Sequence, residues 1–312
     1  MPKNKEMVKS LFKSTAMKEG ILDDPEVAHL FIHKNQVVGE KALPGLEIET
    51  DEFDKGVNIN VLLEKGNKIK KPVHMCFGVM PEKGIQEINL KVKIEDNSAI
   101  SILAHCTFPF AEDVIHKMQA DIEVGKNSQY SYYERHIHGQ YGGIKVYPKA
   151  KIELRKGASF NTEFELLKGR VGLIDIDYET TCREKSKMEM TARIDGRGND
   201  KIKIREIGNL TGEHSRGVLT SRVALRDRAT ADVYNELTAS APYARGHVDC
   251  KEIIQDNGIA KAVPVVTVKD PKAHVTHEAA IGSVDSKQLQ TLMSRGLTED
   301  EAVNLIIQGL LS

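Results

Sequence analysis

Glu87-Ile-Asn-Leu-Lys-Val-Lys-Ile-Glu-Asp-Asn-Ser98 is followed, 30 residues on, by Lys117-Met-Gln-Ala-Asp-Ile-Glu-Val-Gly-Lys-Asn-Ser128. In both stretches apolar side chains take alternate positions: Ile88, Leu90, Val92 and Ile94, then Met118, Ala120, Ile122 and Val124. A period of two places those side chains on one face of an extended strand, and the polar cluster that ends each stretch marks a turn. Similar rows recur at Ile152 and Leu154, at Phe160, Thr162, Phe164 and Leu166, and at Ile202 and Ile204. Turn-like clusters punctuate the chain from Glu64-Lys-Gly-Asn67 to Asp256-Asn-Gly258; most neighbours are 13 to 17 residues apart and alternate ones 28 to 31. Evenly spaced strands suit either an antiparallel sandwich or a coil climbing as a β-helix. Two-residue Asn-Gly and Asp-Gly hairpin signals are scarce, and the double period persists. The pattern therefore favours an all-β chain, a β-helix with two strands per coil, with the sandwich as the alternative.

The ends of the chain read differently. Residues 5–19 set Met7, Leu11 and Phe12 at helical spacing, and residues 20–60 read as mixed connections and short strands. Asp285-Ser-Lys-Gln288 and Thr298-Glu-Asp-Glu301 have the form of capping boxes, so two helices are expected, broken at Gly296. Leu289, Leu292 and Met293 form one apolar stripe, and Ala302, Val303, Leu305, Ile306 and Leu310 the other. The expected division is an N-terminal helical and mixed segment over 1–60, a β-helix core over 61–283 and a helical segment over 284–312. Such a helical pair is expected to cap the solenoid or to dock a partner.

Composition narrows the function. The 44 basic and 45 acidic residues leave a net charge of −1, which offers no broad basic face for nucleic acid or anionic lipid. No apolar run approaches the roughly 18 residues of a membrane span, and the lysine-bearing N-terminus lacks a signal-peptide core. A cytosolic protein is expected. Cys76, Cys106, Cys182 and Cys250 are widely spaced without a CxxC pair, so thiols are expected rather than disulfides. Trp is absent and aromatics make up 5% of the chain, too few for the stacking platforms of a carbohydrate groove. No P-loop, GxGxxG or GxSxG signature is present, so any ATP that drives this protein is bound elsewhere.

Ligand-type side chains are densest from His247 to Glu278: His247, Asp249, Cys250, His274, His277 and Glu278. Thiolate, imidazole and carboxylate all bind transition metals. Glu278 lies 28 residues after Cys250 and His277 lies 27 after it, so a coil of that length sets them on neighbouring rungs. Rungs are about 4.8 Å apart. The same residues also suit a buried cysteine beside a hydrogen-bonded His–Glu pair. A second column is Cys76, Cys106 and His136, spaced by 30 and 30, a candidate for a secondary sulfur or iron site. Glu134, His136 and His138 alternate along one strand and so share a face. Like residues also stack in solenoids without function. Cys182 has no such company and reads as core.

Four C-terminal stretches carry a resemblance: Ala244-Arg-Gly-His-Val-Asp-Cys250, Ala262-Val-Pro-Val-Val266, Val275-Thr-His-Glu-Ala-Ala-Ile-Gly282 and Leu292-Met-Ser-Arg-Gly-Leu-Thr-Glu-Asp-Glu-Ala302. In this order the chain resembles the SufB/SufD family of iron–sulfur cluster assembly proteins, in its short, archaeal-type form. The resemblance implies a right-handed parallel β-helix followed by C-terminal helices. It implies pairing through the C-terminal β-region, here as a homodimer, and terminal helices that bind SufC, an ABC-type ATPase. It implies an assembly scaffold rather than an enzyme, holding a transient iron–sulfur cluster, expected as [4Fe-4S], for delivery to recipient apoproteins. SufB carries a Cys at the position of Cys250 and a Glu at that of Glu278, and SufD a His at that of His277. All three occur together in this chain. The resemblance assigns no residue here to the sulfur-receiving cysteine of SufB, and it indicates no flavin. The competing readings are a β-helix enzyme acting on polysaccharide and a solenoid that polymerises through its ends, which terminal helices would block.

Overall fold

The computed structural model describes residue 21 and residues 23–312; the segment 5–19, expected to be helical, lies outside them. Two antiparallel hairpins open the described chain, β1 (His29–His33) with β2 (Gln36–Lys41) and β3 (Leu46–Phe53) with β4 (Gly56–Leu63). The alternating rows then form β5 (Val73–Gly78), β6 (Lys83–Ile94), β7 (Ala99–Phe108), β8 (Asp113–Val124) and β9 (Gln129–His138). They continue as β10 (Ile144–Leu154), β11 (Ser159–Lys168), β12 (Leu173–Cys182), β13 (Lys187–Gly196) and β14 (Lys201–Leu210). The last are β15 (Arg216–Leu225), β16 (Thr230–Ala239), β17 (Arg245–Ile254), β18 (Ile259–Val268) and β19 (His274–Gly282).

From β4 and β5 onward each strand pairs in parallel with the next but one, giving sheets of ten and nine strands in the orders β19-β17-β15-β13-β11-β9-β7-β5-β1-β2 and β18-β16-β14-β12-β10-β8-β6-β4-β3. This is a parallel β-helix with two strands per coil; the sandwich alternative is ruled out. Ile88 stands beside Met118 and Val92 beside Ile122, so the two quoted rows are stacked rungs of one wall. The coil is not of constant length. Partners differ by 30 residues between β6 and β8 (Lys83↔Asp113), by 28 between β10 and β12 (Lys145↔Leu173) and by 29 between β15 and β17 (Arg216↔Arg245).

The corners explain the punctuation. Between the two sheets the chain turns through a left-handed residue, Asn97 (φ 60), Asn127 (φ 56) and Gly157 (φ 70) on successive rungs. Asn and Gly tolerate that region best. The buried Ser98 and Ser128 follow, and their hydroxyls donate to Glu64 O (2.9 Å) and Glu95 O (2.6 Å) of the rung before. Those bonds satisfy carbonyls that no strand reaches.

Inward-facing Ile, Val, Leu, Phe and Met side chains fill one continuous core, including Cys106, Cys182 and Cys250. Outward, rungs carry charge pairs such as Lys117–Glu87 (3.0 Å) and Arg155–Glu123 (2.9 Å), each contributing little because water screens them. Two helices follow, α1 (Ser286–Met293) and α2 (Glu299–Leu311). Asp285 caps α1 by accepting from Gln288 N, and Thr298 with Glu301 forms the full capping box at α2. The helices do not cover the last rung. α2 lies along the side of the solenoid, with Ala302, Val303, Ile307 and Leu311 buried and its cluster completed by Ala224, Ile253 and Leu167. β18 and β19 therefore remain edge strands, which removes the expected block to end-to-end contact. No helix among the described residues is long and apolar enough to cross a membrane.

Candidate functional site

Among the described residues, two groups of chemically capable side chains lie inside or at the mouth of the solenoid. The first is at its C-terminal rim. β17 and β19 are neighbours with an offset of 29, so Cys250 stands beside Ala279, Asp249 beside Glu278 and Val248 beside His277. Alternation then sorts the faces. Cys250 is fully buried and faces the interior, as do Val248 and Glu252. His277 shares that inward face on the last rung, where nothing further covers it, and is exposed. Glu278 falls on the outer face with Asp249 and lies 3.4 Å from Lys251 Nζ. Spacing arithmetic with a coil of 28 puts Glu278 directly beside Cys250; the actual coil of 29 moves it to the other face.

Sequence reasoning missed the polar shell beneath Cys250. Asn235 Nδ2 donates to its sulfur (3.5 Å), and Ser221, its rung neighbour, donates to Glu252 (3.5 Å). Burial raises the Cys250 thiol above its ordinary range, opposed by the polar Ser221 and Asn235 beside it. Glu252 is pushed up to about 7 and Glu206 to about 8, both by burial. Three oxygens in this shell, Asn235 Oδ1, Glu252 Oε2 and Glu206 Oε2, have no hydrogen-bond partner. The signal for them was present: each is a polar residue at an inward position of the alternation.

The second group is deep in the core. Cys106 stands beside His136 on the neighbouring rung, but Cys76 stands beside His105, not Cys106, because the β5–β7 offset is 29. The expected column therefore loses Cys76, which is buried on the other face of its strand, its thiol pushed up to about 12 by burial. In place of Cys76 comes Glu134. Its Oε1 lies 2.7 Å from His136 Nε2 and 3.6 Å from Cys106 Sγ, and the three ligand atoms are mutually within 4.8 Å. His138 Nε2 lies 3.1 Å from His136 Nδ1, and His138 Nδ1 lies 3.2 Å from Arg170 O. Tyr178 donates to Glu134 Oε2 at 3.5 Å. His116 reaches the group from the opposite sheet, its ring centroid 6.3 Å from that of His136. Burial lowers His116 and His136 to about 3 each and raises Glu134 to about 7. From Glu134 the interior stays polar through Tyr178, its rung neighbour Glu206 and the next, Asn235, to Cys250.

The groove over the outer face of the nine-stranded sheet is lined by Glu47, Glu49, Lys91, Lys93, Asp121 and Glu123 among others, with no aromatic ring. Nothing there stacks a sugar.

Comparison with known proteins identifies the family. A family model described as SUF system FeS cluster assembly, SufBD core domain, matches residues 79–310. The chain is 37% identical over 282 residues to an iron–sulfur cluster assembly SufBD family protein of Methanocaldococcus jannaschii, covering 90% of this chain and 89% of that one. It is 36% identical over 297 residues to a protein of the same description from Pyrococcus horikoshii, covering 94% and 90%. To the iron–sulfur cluster assembly protein SufB of Bacillus subtilis it is 22% identical over 258 residues, covering 80% and 54%. With its β-helix, its rim cysteine and this match over most of its length, the chain belongs to the SufB/SufD family and has a role in iron–sulfur cluster assembly.

Proposed function

We propose that this chain is a cytosolic scaffold rather than a catalyst. A nascent cluster is held at the open end of the solenoid, in a homodimer, and a SufC-like ABC-type ATPase supplies the work. The observation that carries this reading is the position of Cys250: an inward-facing thiol one rung below a final strand whose outer edge is free and that carries His277 and Glu278. Thiolate is the usual ligand of an iron–sulfur cluster, and imidazole or carboxylate completes coordination where the cluster must later leave. A transient [4Fe-4S] cluster destined for recipient apoproteins fits a strong ligand, Cys250, with a weaker one, His277, on the same inward face of each copy. Glu278, on the outer face beside Lys251, joins them only as the last strand re-seats around the cluster.

The unpaired β18 and β19 supply the dimer contact in this reading. They expose Ile259, Val268 and Ile281, and a second copy related by a two-fold axis would pair those edges and bring two Cys250 thiols together. The ATPase docks on the helices. Val303 is already used against the solenoid, but Met293 and Leu305 stay exposed at 42% and 47%, and Leu292 half-buried. Anaerobic co-expression with the ATPase tests the reading. A brown complex containing iron and sulfide is expected; a colourless chain that never associates with the ATPase contradicts it.

A further inference from the structure

The buried group around Glu134 stands apart from the rim, and its hydrogen-bond polarity is unusual. A carbonyl oxygen only accepts, so Arg170 O requires the proton of His138 to sit on Nδ1. Neutral His138 then presents a lone pair at Nε2, which accepts from His136 Nδ1–H. That leaves His136 with a lone pair at Nε2, aimed at a carboxyl oxygen of Glu134 only 2.7 Å away. Two lone pairs at that distance repel unless a proton or a cation lies between them. His116 adds a second oddity: it is 1% exposed, and neither ring nitrogen has a partner. An imidazole so placed forfeits on the order of 1–3 kcal/mol for each unmade bond.

We propose that Cys106, Glu134 and His136, with His116 as the fourth donor, form a resident binding site for one divalent transition-metal ion of borderline softness, such as Fe2+, Co2+ or Zn2+. Tetrahedral coordination with metal–sulfur near 2.3 Å and metal–nitrogen or –oxygen near 2.0 Å sets N and O roughly 3.3 Å apart and S and O about 3.5 Å apart. The separations here are 2.7 Å and 3.6 Å, so a shift of about half an ångström in one side chain seats the ion on these three. His116, which lies outside their 4.8 Å group, swings in to complete the coordination. Binding replaces the Cys106 thiol proton and the Glu134 carboxyl proton, releasing two protons to solvent. The dication, thiolate, carboxylate and neutral imidazoles then sum to zero charge, the one combination a dry core accepts cheaply. His138 and Arg170 O become the outer hydrogen bonds that fix the His136 tautomer. Cys76 takes no part.

The test uses full-length protein carrying Cys250→Ala, which removes the rim thiol, expressed in medium supplemented with Co2+ and purified anaerobically. About one Co2+ per chain should survive a chelating column, with thiolate-to-cobalt charge-transfer absorption in the near ultraviolet. Adding Cys106→Ser should abolish the absorption, and Glu134→Gln should lower retained Co2+ by roughly tenfold or more. A Gln amide still donates to His136 Nε2, so a merely structural Glu134 predicts that Glu134→Gln folds normally and changes nothing in metal content. No retained Co2+, absorption that persists after Cys106→Ser, or full retention in Glu134→Gln would each overturn the site. None of these results depends on whether a cluster forms at the rim.

Discussion

Replacing Glu206 by Gln should flatten the pH dependence of stability. Glu206 is 2% exposed, its Oε2 has no partner, and burial lifts its carboxyl from an ordinary 4.5 to about 8. Between those values the native chain keeps a proton that the unfolded chain releases. Stability therefore falls as pH rises, by about 1.4 kcal/mol per pH unit for one proton. The contribution is fully present below pH 4.5, and above about pH 8 it is lost, a total of about 5 kcal/mol. Glu134 and Glu252, each raised to about 7, act in the same direction, whereas the buried His116 and His136, lowered from 6.5 to about 3, oppose them below about pH 6.5. The difference between native and Glu206→Gln isolates one group, because the amide keeps the shape and cannot ionise. Urea unfolding from pH 5 to pH 9 reads it directly. The variant should gain on the native chain by several kcal/mol toward pH 8 and then run parallel. Curves parallel throughout would show that Glu206 is not held protonated by the core, and the reasoning about the interior carboxyls would fail with it.

Three further outcomes follow from the account. Deleting residues 286–312 should abolish co-purification with the ATPase while the β-sheet circular dichroism persists; ATPase retained by the truncated chain contradicts the docking assignment. Ile281→Asp, on the exposed inward row of β19 at 44% exposure, should convert a dimer to a monomer by light scattering, and a native chain already monomeric at micromolar concentration would end the dimer reading. His277→Ala should lower iron retained after anaerobic reconstitution severalfold without changing the fold, and Glu278→Ala, on the outer face, should lower it less; native iron content in both would exclude the final strand from the site.

The fold was legible because one-sided burial writes a period of two along each strand and the coil writes a longer period over it. Ile88 through Ile94 and Met118 through Val124 declare both at once. Which face a residue takes was less legible. Successive rungs here are offset by 28 to 31 residues, and an error of one turns a side chain to the opposite face. Cys106 and His136, 30 apart on strands offset by 30, were placed correctly. Cys76 and Glu278 met an offset of 29 and went to the opposite face of their strands, Cys76 buried there and Glu278 exposed. His116 was invisible to this arithmetic, since it enters from the other sheet, where no simple multiple of the coil relates it to His136. The helices were readable from their caps, but their docking was not: Ile307 and Leu311 go to the wall of the solenoid while Leu305 stays exposed.

Iron and acid-labile sulfide per protomer, counted after anaerobic reconstitution of native, Cys250→Ala and Cys182→Ala protein, test the central claim most directly. Cys182 is a fully buried core thiol whose rung neighbours, Leu154 and Leu210, are apolar, so its replacement controls for packing. The account predicts a cluster in native and Cys182→Ala protein and none in Cys250→Ala, with all three folded by circular dichroism. A full complement of iron and sulfide in Cys250→Ala would contradict it.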